Sequence, residues 1–118
     1  MKKILVVDDN EDILQIMKLF LNSKGFTVLT EPNGRETYNQ VDNYQPDLII
    51  LDVFLGNSDG RQICNELKND DRTKNIPIII FSANAKPEEV MRACKADDFL
   101  SKPFELNDLL AVVNEYLN

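Results

Sequence analysis

Five residues have side chains that could work together on one chemistry: Asp8, Asp9, Asp52, Ser82 and Lys102. Asp52 is the least expected of them. It ends Leu48-Ile49-Ile50-Leu51, a run of good strand formers, and Val53-Phe54-Leu55 continue apolar beyond it. An isolated carboxylate in apolar surroundings is costly, so Asp52 belongs where a strand leaves its sheet, with a cation and neutralising partners close by. The chain offers such partners in similar settings. Asp8-Asp9 follow Ile4-Leu5-Val6-Val7, Ser82 follows Ile78-Ile79-Ile80-Phe81, and Lys102 follows Asp98-Phe99-Leu100-Ser101. One polar residue after one strand is an ordinary loop residue. Four strand ends carrying acids, a hydroxyl and a lysine read as a site.

Electrostatics indicate what the site needs. Two unit charges about 4 Å apart repel by roughly 4 kcal/mol at an effective dielectric near 20. Lys102 alone does not cancel three carboxylates, which implies a divalent cation. The ligands in prospect are all oxygen, and the chain has no histidine, so Mg²⁺ or Mn²⁺ fits best. The Asp-x-Asp-x-Asp-Gly spacing of a calcium loop is absent. A carboxylate beside such an ion, with a lysine and a hydroxyl converging on it, is equipped to accept a phosphoryl group.

The elements that must position these residues follow from patterning. Ile4–Val7 is a short apolar run suited to a strand buried on both faces. Asp8-Asp9-Asn10 offers capping oxygens to a helix over Glu11–Lys24, with Ile13, Ile16, Met17 and Phe20 as its apolar stripe and Gly25 closing it. Phe26–Thr30 reads as a thinner edge strand, and Arg35–Tyr44 as a weak helix anchored by Tyr38 and Val41. Asp47–Leu51 is the third strand, 56–60 a loop, and Arg61–Lys68 a helix anchored by Ile63 and Leu67. Ile78–Phe81 is the fourth and most apolar strand. Pro87 opens a short helix to Cys94. Asp98–Ser101 is the fifth strand, and Phe104–Leu117 the last helix, with Leu106, Leu109, Leu110, Val113 and Leu117 at helical spacing. Strands alternating with helices predict an α/β fold, one parallel sheet covered on both faces. All its strands point one way, so the five chemical residues emerge on one rim, where ligands of such sheets bind.

The chain of 118 residues fits a single domain, 1–118, with one core. Its net charge of −7 and lack of a basic stripe argue against direct nucleic-acid binding or attachment to an anionic membrane. Lys2-Lys3 followed by four apolar residues is too short for a signal segment or membrane span, so a cytoplasmic location is expected. Cys64 and Cys94 have no ligand-spaced neighbours and read as reduced, buried thiols rather than a zinc or redox motif. On the first helix, Leu14 lies at the edge of the stripe near the mouth of the site, close to Pro103-Phe104. These three are the candidate docking residues for a partner helix, while Leu19 falls off the stripe.

Together, Ile4-Leu5-Val6-Val7-Asp8-Asp9, Leu51-Asp52-Val53, Asp59-Gly60, Phe81-Ser82-Ala83 and Phe99-Leu100-Ser101-Lys102-Pro103-Phe104 resemble the receiver domain of two-component response regulators, in that family's order and spacing and along the whole chain. The resemblance implies a doubly wound, flavodoxin-like sheet of strand order 2-1-3-4-5 with five helices on two faces. It implies that Asp52 is phosphorylated by a sensor histidine kinase or a histidine phosphotransfer protein. Asp9 would bind Mg²⁺ directly and Asp8 chiefly through water, and the backbone carbonyl of Phe54 would be a further ligand beside Asp52. Ser82 would be the switch hydroxyl, Lys102 the phosphate partner, Phe99 the responding aromatic, and Lys102-Pro103 a cis bond. Phe54 and Asn84 would flank the phosphoryl pocket, where a bulky Phe54 could keep out hydrolytic water and prolong the phosphorylated state.

By the same resemblance, the face of the fourth helix, fifth strand and fifth helix, including Lys86, Met91 and Phe99, would signal to an output protein or domain. Phosphorylation-dependent homodimerisation is an open alternative there. The chain would catalyse only its own phosphorylation and dephosphorylation. Three departures stand out: Gly56-Asn57-Ser58 where the family usually has Pro-Gly-Met, Lys95 for a usual glycine, and serine for the commoner threonine at 82. Two rival readings remain. One is a degenerate receiver that binds partners without phosphorylation. The other is a Mg²⁺-dependent phosphohydrolase, whose Asp-x-Asp motif Asp52-Val53-Phe54 lacks. Met1 reads as a protein start, and the end after the last helix fits either a stand-alone regulator or an excised receiver.

Overall fold

The computed structural model describes residues 2–56, 58–83 and 87–117. Asn57, Asn84 and Lys86, named above for the loop, the pocket and the signalling face, lie outside the described residues. Five parallel strands form one sheet: β1 (Lys3–Val7), β2 (Thr27–Glu31), β3 (Leu48–Asp52), β4 (Ile78–Ser82) and β5 (Asp98–Ser101), in the order β2-β1-β3-β4-β5. The helices are α1 (Glu11–Ser23), α2 (Thr37–Tyr44), α3 (Gly60–Lys68), α4 (Pro87–Cys94) and α5 (Leu106–Leu117). The expected fold class and strand order are both observed.

Alternation along the strands divides the core in two. Ile4, Val6, Leu48, Ile50, Ile79 and Phe81 face Leu14, Met17, Leu21, Leu109 and Val113 of α1 and α5. Leu5, Val7, Ile49, Leu51, Ile78 and Ile80 face Val41, Ile63, Leu67 and Val90 of α2, α3 and α4. Since both sides of β1, β3 and β4 are enclosed, these strands read as continuous apolar runs. Each fully buried Ile or Leu stabilises the fold by about 1.5–3 kcal/mol relative to exposure.

Register then sets the rim. Val7 pairs with Leu51, Asp52 with Phe81, and Ser82 with Ser101. Asp8 therefore lies level with Asp52 on the neighbouring strand. Ser82 and Lys102 follow one residue beyond the positions paired with Asp52 and Ser82.

Two expectations are corrected. The apolar stripe of α1 is rotated: Leu14, Met17 and Leu21, an i, i+3, i+7 row, face the sheet. Ile16 is 53% exposed and Leu14 only 4%. Leu14 is thus a core residue and does not present itself to a partner. The supposed loop after Asp52 contains a small antiparallel hairpin, in which Phe54 pairs with Asp59 and Leu55 with Ser58. At α1 the cap is as expected, with the Asn10 side chain accepting from the Asp12 and Ile13 amides at 3.0 and 3.3 Å. The Lys102-Pro103 bond is cis.

Lys95 keeps the backbone that a glycine would provide. Its φ of 59° lies in the left-handed region, which costs a side-chain-bearing residue about 1–2 kcal/mol. Its side-chain hydrogen bond to Asn69 Oδ1, at 2.9 Å, is exposed. Lys95→Gly should therefore stabilise the protein by about 1 kcal/mol after the added freedom of the unfolded chain is subtracted. A urea midpoint that fails to rise would show that the turn carries no such strain.

Candidate functional site

The strand ends bring the three acids together. Carboxylate oxygens of Asp8, Asp9 and Asp52 all lie within 4.8 Å of one another. Asp8 is fully buried, Asp52 is 5% exposed, and Asp9 stands at the solvent edge. Asp8 is further fixed by its Oδ1, which accepts the Asn10 amide at 2.9 Å and so ties the acid pair to the start of α1. Lys102 reaches in from the end of β5, its Nζ 3.0 Å from Asp8 Oδ2 and 3.2 Å from Asp52 Oδ2. The ammonium also lies 4.6 Å from the centre of the Phe81 ring, a favourable cation–π distance.

One ammonium does not balance three acids. Burial, followed by the charge of Asp8, pushes the Asp52 carboxyl up to about 6, against the opposing pull of Lys102 and a hydrogen bond from the Phe54 amide. The donor set is made only of hard oxygens and carries surplus negative charge, which suits Mg²⁺ or Mn²⁺.

The backbone beside Asp52 is held by a glycine. Gly60, the first residue of α3, donates its amide to the Val53 carbonyl at 2.7 Å. A Cβ at Gly60 would land on the Asp52 carbonyl oxygen and lie 3.0 Å from Val53 Cα. No side chain fits, so glycine lets α3 begin against the strand that carries Asp52. Asp59 is occupied elsewhere. It caps α3 by accepting the Arg61 amide at 2.9 Å and pairs with the Arg61 guanidinium, whose hydrogen bond holds its carboxyl below the usual range.

The remaining expected residues are distributed around this centre. Ser82 is fully buried, and its carbonyl accepts the Lys102 amide at 2.9 Å. Phe99 is half-buried on the α3–α4 side, paired in register with Ile80. The Phe54 side chain is 61% exposed on the hairpin, so it does not pack beneath the loop. Pro103 and Phe104 line an apolar groove of about 470 Å³ with Ile13, Ile16, Ala83 and Leu106. Lys102 lines the same groove, which therefore adjoins the acid cluster. Leu14 is not part of it, and Ile13 and Ile16 take its place. Leu106, read as core from its spacing, is an exposed wall of this groove. Gly60, Phe81 and Ile16 are the residues whose local roles sequence reasoning missed. The Asp59-Gly60 pair carried a signal for the first, and the misassigned stripe hid the last.

Comparison with known proteins agrees with this geometry. The family model "Response regulator receiver domain" matches residues 4–114. The alkaline phosphatase synthesis transcriptional regulatory protein PhoP of Bacillus subtilis is 36% identical over 98% of the chain and 48% of its own length. The DNA-binding dual master transcriptional regulator RpaA of Synechocystis is 33% identical over 99% of the chain and 49% of its own. The chain thus spans about half the length of these curated relatives. Among solved structures, the chemotaxis protein CheY4 of Vibrio cholerae superposes with a TM-score of 0.91 at 29% identity, covering 98% of both chains. A two-component response regulator from Clostridium difficile gives 0.89 at 29% identity, covering 99% of this chain and 96% of that one. With the family model matched along nearly its whole length and the acid cluster, lysine and hydroxyl on one sheet rim, the chain belongs to the response regulator receiver domain family.

Proposed function

We propose that this chain is a phosphoacceptor switch in which Asp52 receives a phosphoryl group from a sensor histidine kinase or histidine phosphotransfer protein. The observation that carries the reading is the cluster of Asp8, Asp9 and Asp52 with a single lysine bridging two of them. Asp8, Asp9, Asp52 and the Phe54 carbonyl would hold Mg²⁺, or Mn²⁺ in its place, which supplies charge neutralisation for the transferring phosphoryl oxygens. An Asp52 carboxylate oxygen attacks phosphorus as the donor's P–N bond breaks. The bonding pair leaves with the imidazole, and an acyl phosphate remains on Asp52. Lys102, held within reach by Asp8, then gains a stronger partner. The Ser82 hydroxyl donates to a phosphoryl oxygen.

Phosphorylation replaces the single charge of the Asp52 carboxylate with a phosphoryl group of about −1.5 to −2, enough to rearrange a site already short of positive charge. Phe99 and the face formed by α4, β5 and α5 carry that change to an output protein or domain, or to a second copy of the chain. The groove beside Lys102 receives the donor: its apolar floor at Ile16, Pro103 and Phe104 suits the side of a helix that delivers a phosphohistidine to the neighbouring acids.

Incubation with acetyl phosphate and Mg²⁺ should add one phosphoryl group in intact mass, and Asp52→Ala should abolish it. Labelling of the Asp52→Ala variant, or turnover of small phosphomonoesters by the parent, would contradict the reading. In the same experiment Phe54→Ala should shorten the lifetime of the phosphorylated form if the phenyl ring excludes water, and an unchanged decay would assign that ring no such role.

Docking is tested separately. Ile16→Asp should lower the rate of phosphotransfer from the protein donor at subsaturating concentration by roughly tenfold, about 1.4 kcal/mol, with labelling by acetyl phosphate unchanged. Equal rates for variant and parent would move the donor site elsewhere.

The charge imbalance also predicts a stability effect. Asp52 has a folded-state value near 6, raised from 3.8, so its ionised form costs stability above pH 6 and that cost disappears as pH falls toward 4. In EDTA, Asp52→Asn should stabilise the protein at pH 7.5 by on the order of 2 kcal/mol, with the gain shrinking toward pH 4. Mg²⁺ should raise the melting temperature of the parent more than that of the variant. A variant less stable than the parent in EDTA would show that Lys102 already balances the cluster.

A further inference from the structure

Cys64 and Cys94 stand on different helices, in the middle of α3 and at the last residue of α4, and the fold sets them side by side. The Cys64 thiol donates to the Cys94 carbonyl at 3.2 Å, and the Cys94 thiol donates to the Val90 carbonyl at 3.0 Å. The Cys64 sulfur is thus packed against the residue that carries the second thiol. Both residues are unpaired and wholly buried. Among the described residues, no histidine, cysteine or carboxylate completes a metal-binding trio with them.

The two sulfurs are not equivalent. The Cys64 side chain beside it, helped by the Ala96 amide and the nearby Arg61 guanidinium, outweighs burial and holds the Cys94 thiol down at about 7. The neighbouring Cys94, together with burial, pushes Cys64 up. These shifts favour Cys94 over Cys64 as the first sulfur to lose its proton. A more acidic thiol with a second thiol on the residue packed against it is the arrangement of a reactive and a resolving cysteine.

We propose that Cys64 and Cys94 form an oxidisable pair that hydrogen peroxide closes into a disulfide, tying the end of α4 to α3. Peroxide fits the setting because it is neutral and close to water in size, whereas burial keeps larger disulfides out. The Cys94 thiolate attacks one peroxide oxygen, the O–O bond breaks, and the departing hydroxide takes up a proton to leave as water. Cys64 sulfur then attacks the Cys94 sulfenic acid. The S–S bond forms, the S–O bond breaks, and a second water leaves with the Cys64 proton. The two thiols lose two electrons and two protons in all, and the peroxide is reduced to two waters. The close approach of the Cys64 sulfur to Cys94 favours this closure over a second oxidation of Cys94. The cross-link holds the last turn of α4 whatever the state of Asp52, so it is independent of phosphoacceptance.

Peroxide treatment of the native chain should lower its intact mass by two hydrogens, about 2 Da. Maleimide labelling after denaturation should fall from two thiols to none, and digestion should release one reducible peptide pair containing Cys64 and Cys94. Amide exchange in α4 should slow by on the order of tenfold in the oxidised form. These readouts need no substitution at the buried positions. In parallel, Cys64→Ala should convert the product to an oxygen adduct on Cys94. A disulfide joining two chains, an oxygen adduct on Cys94 in the parent, or two free thiols after the methionines have oxidised would each overturn the proposal.

Discussion

The structure depends on one electrostatic arrangement, the Lys102 ammonium set between the carboxylates of Asp8 and Asp52. Those acids come from adjacent strands and the lysine from the sheet edge, so no local stretch of chain could assemble them. The parallel register does so, by aligning Val7 with Leu51, Asp52 with Phe81 and Ser82 with Ser101. A slip of one residue on any of these strands would exchange its faces and pull the corresponding group off the rim. The apolar runs that enforce the register hold the charges together. Two-sided burial of β1, β3 and β4 thus stabilises a cluster that would otherwise push itself apart.

The neutralisation is incomplete, and the backbone bears part of the consequence. Asp9 remains at the solvent edge, where its charge costs least, and Asp8 takes the buried position beside both Lys102 and the Asn10 amide. Asp52 lies between, with the Phe54 amide as an additional donor. The hairpin and α3 brace that donor from outside: Gly60 rests on the Asp52–Val53 backbone at a distance only glycine allows. The small hairpin therefore fixes where the chain turns after the acid, and with it the amide that faces the carboxylate.

What the sequence conveys and what it hides have different physical causes. Strands buried on both faces appear as unbroken apolar runs, so β1, β3 and β4, with Asp8, Asp52 and Ser82 at their ends, are legible almost to the residue. The Asn10 cap is legible because its oxygen is needed by amides two and three residues on. The orientation of α1 is not, because apolar residues occupy most of two adjoining faces. Ile13, Ile16 and Phe20 fit a helical stripe as well as Leu14, Met17 and Leu21 do, and only the packing of α1 on the sheet selects the second. The hairpin is hidden because two-residue arms have no periodicity to read. The neighbouring cysteines are hidden for a further reason: their approach depends on how α3 and α4 pack over the sheet, which spacing along the chain does not encode.

The corrected orientation of α1 connects the charge cluster to the groove. Lys102 Nζ lies against the face of Phe81 at 4.6 Å, and Phe81 meets Phe104 edge to face, with ring centres 6.1 Å apart and planes at 86°. Phe104 in turn lines the groove together with Ile16 and Pro103. The ammonium therefore has two competing attractions, the carboxylates and the ring beneath it. Cation–π contacts are worth about 0.5–2 kcal/mol, less than a close charge pair in a low-dielectric site. Added negative charge at Asp52 thus draws the lysine by the stronger interaction and weakens its hold on the ring. Phe81 is fully enclosed and has little room to follow, so Phe104, half-buried at the groove wall, is the ring free to adjust. Under the proposed phosphoacceptor reading, a donor seated in that groove would rest on Phe104, the ring next to the one that faces Lys102.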